Sequence, residues 1–137
     1  MRTLETNPDD WFSLAQERLE SADALFAARG ACYSAVELLQ EAVERYLKGY
    51  LIFKGWKLER VHDLNRLLDV AARYDQRFQP FAPLAQSLTE QFWAQHYPGE
   101  DLSDVGSDSD ILRQQAGDLV ALILTSGPQQ PEQAAED

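Results

Sequence analysis

Apolar side chains recur along nearly the whole chain at spacings of three and four, and no alternation of period two is sustained anywhere, so the pattern predicts helices and no strands. Asn7-Pro8-Asp9-Asp10 reads as a helix start: an Asn cap, a proline at the first helical position and two carboxylates facing the positive end of the dipole. Trp11, Leu14, Ala15, Ala22, Leu25 and Phe26 then share one stripe, which Gly30 closes. The longest stripe follows, from Tyr33 through Val36, Leu39, Ala42, Val43, Tyr46, Leu47, Tyr50 and Leu51 to Phe53, and it ends at Gly55. This segment is expected to be the central helix. Beyond a basic loop, Trp56 to Arg60, a third helix carries Leu64, Leu67, Leu68, Ala71 and Ala72 as far as about Asp75. A fourth is expected to start near Pro80, with Phe81, Leu84, Ala85, Leu88 and Phe92 as its stripe, and to stop at Pro98-Gly99. An acidic, serine-rich loop from Gly99 leads to a last helix, capped by Asp108 or Ser109 and carrying Ile111, Leu112, Ala116, Leu119, Val120, Ile123 and Leu124. Long helices joined by short loops predict an all-α, antiparallel up-and-down bundle of four main helices plus a fifth. One domain over residues 1–126 is expected, followed by a disordered polar tail over 127–137.

Composition narrows the function classes. With 137 residues and 45% hydrophobic content the chain suits a single folded core, and no apolar run approaches the ~20 residues of a membrane span. A soluble, cytoplasmic protein is expected. One cysteine, Cys32, excludes an internal disulfide and a multi-thiolate zinc site. The net charge of −11 disfavours unaided binding to nucleic acid, because neutralising phosphates supplies most of that affinity. The charge is uneven, however. Residues 45–77 carry 8 basic and 4 acidic side chains, whereas 1–44 carry 3 and 9, and 78–137 carry 1 and 10. This positive island either meets an acidic surface of a second copy or a partner, or forms a solvated helix face paired with acidic neighbours.

Candidate chemistry is sparse. The two histidines, His62 and His96, have no second histidine one helical turn away, so no helix-borne metal pair exists and no metal or other cofactor is implied. The acidic run Asp101, Asp104, Asp108 and Asp110 misses the spacing of a calcium loop. No phosphate-cradling glycine loop and no nucleophile elbow occurs. Glu37, Glu41 and Glu44 read as a solvated or interface edge. Within the apolar central helix, Gln40, Glu44 and Lys48 stand at i, i+4 and i+8 on one stripe, with the glutamate N-terminal to the lysine as a helical ion pair prefers. The stripe is either an ordinary surface pair or a register-setting interface. His62, before Asp63 and the start of the third helix, reads as a capping or loop-anchoring imidazole, or as a group that transfers a proton or contacts a phosphate.

Four motifs stand in a recognisable order: Gln40-Glu41-Ala42-Val43-Glu44-Arg45-Tyr46-Leu47-Lys48-Gly49-Tyr50-Leu51; then His62-Asp63-Leu64 with Leu67-Leu68; then His96-Tyr97-Pro98-Gly99; all preceded by Gly30, Tyr33 and Val36 at the entry to the second helix. Over roughly residues 10–125 the chain resembles the HEPN family (higher eukaryotes and prokaryotes nucleotide-binding domain). The resemblance implies a helical bundle that dimerises. Some members are metal-independent ribonucleases marked by an arginine followed by a histidine with four to six residues between them. Others are small proteins that pair with a minimal nucleotidyltransferase in toxin–antitoxin-like modules, or are proposed to bind nucleotides. The ribonuclease spacing is missing here: Thr89, Glu90 and Gln91 stand where His96 needs an arginine, and Gly55, Trp56 and Lys57 where His62 does. His96 also replaces the arginine of the family's R-Y-P turn. The resemblance therefore implies a noncatalytic binding module, a homodimer with a nucleotidyltransferase partner and a nucleotide as candidate ligand. Lys48, His62, His96 and Tyr97 are the candidate ligand contacts, and Gln40, Glu44 and Lys48 the candidate interface. The alternative is a ribonuclease with an unconventional site built from His62, Lys57 and Arg60.

Overall fold

The computed structural model describes residues 3–96 and 105–128. Five α-helices make up the described chain: α1 (Pro8–Arg29), α2 (Tyr33–Phe53), α3 (Leu64–Tyr74), α4 (Ala82–His96) and α5 (Val105–Ser126). A 3₁₀ helix, Gln76–Phe81, joins α3 to α4. No strand occurs among the described residues, and no described helix is long and apolar enough to cross a membrane.

Local signals set the helix ends. The Asn7 side chain accepts from Asp9 N, with Pro8 in the first turn. At the other end of α1, Gly30 takes φ 71°, a left-handed conformation that suits glycine, and its N–H donates to Phe26 O. Asp63, not His62, caps α3: its Oδ1 accepts from Asn65 N at 2.9 Å and Arg66 N at 3.4 Å. A carboxylate suits this place because it accepts from orphan amides and carries charge toward the dipole. The fourth helix starts at Ala82, later than Pro80, because Asp75 caps a separate 3₁₀ helix that has Pro80 inside it. The last helix starts at Val105, about a turn before the expected Asp108 or Ser109 cap. Gly127, placed in the expected tail, is buried and its N–H donates to Ile123 O at 2.8 Å, while the expected stop at Pro98-Gly99, the acidic run at 101 and 104 and the tail from residue 129 lie outside the described residues.

Burial follows the stripes with informative exceptions. α2 is central: it packs along α1 and also touches α3, α4 and α5. Ala35, Val36, Leu39, Val43, Leu47, Tyr50 and Leu51 meet Leu64, Leu67, Phe78, Leu84, Leu88, Leu119 and Ile123 in one core. The stripe of α1 is narrower than expected, since Leu14 is exposed, and Tyr33, Phe53, Ile111 and Leu124 are exposed as well. α1 seals only one flank of α2, so Leu14 falls off the buried arc.

One glycine lets the two helices meet. An added Cβ on Gly49 would lie 2.7 Å from Phe12 Cε1 and 2.9 Å from Trp11 Cβ, well inside the ~3.5–4.0 Å of ordinary carbon contact. The absence of a side chain at position 49 thus brings Trp11 against α2 beside Lys48. The cations of residues 45–77 are mostly neutralised within the chain, by pairs such as Arg66–Glu59, Arg73–Asp69 and Arg77–Asp75. The positive island is largely a paired helix face.

Candidate functional site

The polar stripe of α2 is buried inside one chain. Gln40, Glu44 and Lys48 are all in the buried class, and the side chains of Lys48 and Glu44 are only 5% and 9% exposed. The expectation of a surface pair, and of Glu44 on a solvated edge, is thereby corrected: the start of α1 and the loop before α3 close over this part of α2. Two buried charges are tolerable only when paired and hydrogen-bonded. Glu44 Oε2 accepts from Lys48 Nζ at 3.0 Å and lies 3.0 Å from His62 Nδ1. A carboxylate oxygen that already accepts from lysine takes a second donor, so Nδ1 carries the proton in this contact. Gln40, one turn away, keeps Oε1 buried with no hydrogen-bond partner.

His62 is 81% exposed while its Nδ1 reaches this buried carboxylate. Its ring is therefore anchored on one edge and open to solvent on the other. Asp63 fixes the backbone immediately after it by capping α3. In front of the triad lies a cleft of about 290 Å³ with walls from Trp11 on α1, Glu44, Arg45 and Lys48 on α2, and Leu58, Arg60 and His62 on the connecting loop. Lys48 Nζ stands 5.7 Å from the Trp11 ring centroid, within cation–π range. Arg45 donates to Glu41 O and Glu41 Oε1, each at 3.3 Å, and Arg18 joins the same carboxylate at 2.9 Å. A second cleft of about 380 Å³ shares Trp11 and Arg45 and continues past Leu4, Glu5, Asp10 and Leu14.

A family model of the HEPN domain matches residues 8–122, which takes in most of the chain and reaches from the start of α1 into α5. The chain belongs to the HEPN family. No curated protein and no solved structure matches it.

In this HEPN bundle the structure gathers Lys48, Glu44, His62 and Arg60 at one cleft. Lys57 is exposed on the same loop but outside the cleft walls. His96 closes α4, and its side chain, like all of Tyr97, lies outside the described residues. Among the described residues no group of His, Cys, Asp or Glu is placed to hold a metal ion. Sequence reasoning missed Trp11, Arg45 and Leu58 as cleft residues. Trp11 reads as one more member of an apolar stripe, and the available signal was Gly49, a glycine in the longest helix that marks a close approach.

Proposed function

We propose that this HEPN chain is a noncatalytic binding module that takes a nucleotide in the cleft between α1, α2 and the loop before α3. As a homodimer it would partner a minimal nucleotidyltransferase in a toxin–antitoxin-like two-component system. The observation that carries the nucleotide reading is the convergence of Arg45, Arg60 and the anchored His62 around one indole, Trp11, in a chain whose net charge is −11. An indole face offers a base a stacking platform worth about 1–3 kcal/mol. Guanidinium and imidazole donors suit phosphate oxygens. Lys48 has a different role from a ligand contact: committed to Glu44 and nearly buried, it holds the glutamate that orients His62. Each cation of the cleft wall already has a carboxylate partner, Lys48 with Glu44, Arg45 with Glu41 and Arg60 with Glu5, and this neutralised rim favours a small phosphate ester over a long polyanion. Calorimetric titration with ATP tests the reading, with measurable binding expected for the native chain and its loss in Arg60→Ala/His62→Ala. Absence of binding to the native chain at millimolar ATP would overturn it. Light scattering of the purified chain, at 15.5 kDa per copy, tests the dimer, and affinity capture from the host tests the nucleotidyltransferase.

A second reading, metal-independent RNA cleavage, is favoured by the Glu44–His62 contact, because a buried carboxylate on Nδ1 leaves Nε2 as the free nitrogen for proton transfer. Arg60 would supply positive charge at the phosphate, with Lys57 nearby on the loop. If this reading holds, His62→Ala abolishes cleavage of an RNA oligonucleotide while helicity by circular dichroism is unchanged.

A further inference from the structure

The segment before α1 is tied down at one residue. Glu5 Oε1 and Oε2 accept from Arg60 Nη2 at 2.7 and 2.9 Å, across 55 residues of sequence, and its backbone carbonyl accepts from the indole Trp11 Nε1 at 2.8 Å. Its neighbours complete a small turn, with Leu4 N on Asp10 Oδ2 at 2.9 Å and Asn7 N on Leu4 O at 3.1 Å. Arg60 and Trp11 both line the 290 Å³ cleft. Glu5 therefore satisfies, with its own atoms, two cationic or N–H donors at the cleft rim. The pair is open to solvent, the Arg60 side chain being 78% exposed and that of Glu5 53%.

We infer that Arg60 Nη2 and the Trp11 indole N–H form a phosphate subsite of this cleft, and that Glu5 fills it, with its carboxylate on Arg60 and its backbone carbonyl on the indole, until a phosphate ester displaces it. The inference rests on the nucleotide reading above and deepens it by naming which donors take the phosphate. The chemistry of exchange favours the incomer. A phosphate monoester brings a charge of about −1.5 to −2 and three acceptor oxygens, against the single charge of a carboxylate. An ion pair this exposed is held weakly, so its displacement is cheap. Glu5 also lines the 380 Å³ cleft, which shares Trp11 and Arg45 with the first.

Glu5→Gln tests the assignment, since it keeps the length of the side chain and the backbone carbonyl on Trp11 but removes the competing charge. Calorimetry on the full chain compares ATP with adenosine as probes. The expected result is ATP binding tightened about 2–5-fold, the range set by losing an exposed competing ion pair, with adenosine binding unchanged. Arg60→Ala/Glu5→Gln should show no such gain over Arg60→Ala. If the native chain binds ATP and Glu5→Gln binds it equally or more weakly, the subsite assignment is overturned and the nucleotide reading stands. Equal tightening of adenosine also overturns the assignment, because the gain would then be steric release. If neither chain binds ATP, the nucleotide reading falls and the subsite with it. Circular dichroism confirms that the exposed Glu5→Gln change leaves the bundle folded.

Discussion

Replacing a glycine inside a helix by alanine ordinarily stabilises a protein, by about 1 kcal/mol, because alanine has less backbone entropy to lose. At Gly49 the sign should reverse. The added Cβ would stand 2.7 and 2.9 Å from two atoms of the Phe12 ring and 2.9 Å from Trp11 Cβ. The ring could swing, but Trp11 Cβ is bonded to the α1 backbone, so relief requires α1 to move off α2. Forcing a methyl into a packed contact costs about 1–3 kcal/mol, and offsetting the propensity gain leaves Gly49→Ala destabilised by up to about 2 kcal/mol. At roughly 4 °C per kcal/mol for a domain of this size, the melting temperature falls by several degrees. Gly117 is the internal control: it is helical, exposed and has nothing within 4 Å of its added Cβ, so Gly117→Ala should gain up to about 1 kcal/mol. Thermal melts of both variants by circular dichroism read the difference. Stabilisation by Gly49→Ala equal to that by Gly117→Ala would refute the close approach of α1, and with it the position of Trp11 at the cleft.

Lys48→Met should lower stability by about 3–5 kcal/mol in urea melts, since it strands the buried Glu44 with only His62, whereas Glu44→Leu/Lys48→Met should recover most of the loss. Additive losses in the double variant would contradict the coupling. Asp75 is held below the usual carboxylate range by side-chain and backbone hydrogen bonds from Arg77, so its contribution is present above the ordinary aspartate pKa and disappears as pH falls through the lower folded value. Asp75→Asn should therefore flatten the acid limb of the stability curve, and an unchanged limb would contradict the contact. Burial pushes the Tyr50 phenol up, with the nearby Asp75 adding to the shift. A raised folded pKa gives stability that is present below the ordinary tyrosine value and is lost as pH rises through the folded one. Tyr50→Phe should remove that alkaline loss, as followed by melts between pH 8 and pH 11.

The helices were legible because their causes are local. Asn7-Pro8-Asp9-Asp10 carries its own capping chemistry, Gly30 its own left-handed turn, and the α2 stripe its own period. Where elements compete for the same few residues, sequence was less decisive: Asp63 took the cap beside His62, and Asp75 opened a 3₁₀ helix before Pro80. The HEPN resemblance extended local pattern to family, and the family match bears it out. The cleft was only half legible. Glu44 and Lys48 were visible as a pair because i and i+4 neighbours need no tertiary structure, but their burial depends on α1 and on the loop that carries Leu58, Arg60 and His62. The meeting of Glu44 with His62, of Trp11 with Lys48 and of Glu5 with Arg60 comes from packing that no local spacing encodes.

The most direct test of a nucleotide at this cleft is the indole N–H resonance of Trp11, assigned by its loss in Trp11→Phe and followed by two-dimensional nitrogen–proton NMR as ATP is added. The resonance should shift and saturate as the phosphate takes the place of the Glu5 carbonyl on the indole N–H and of the Glu5 carboxylate on Arg60. A Trp11 resonance unmoved at millimolar ATP would contradict it.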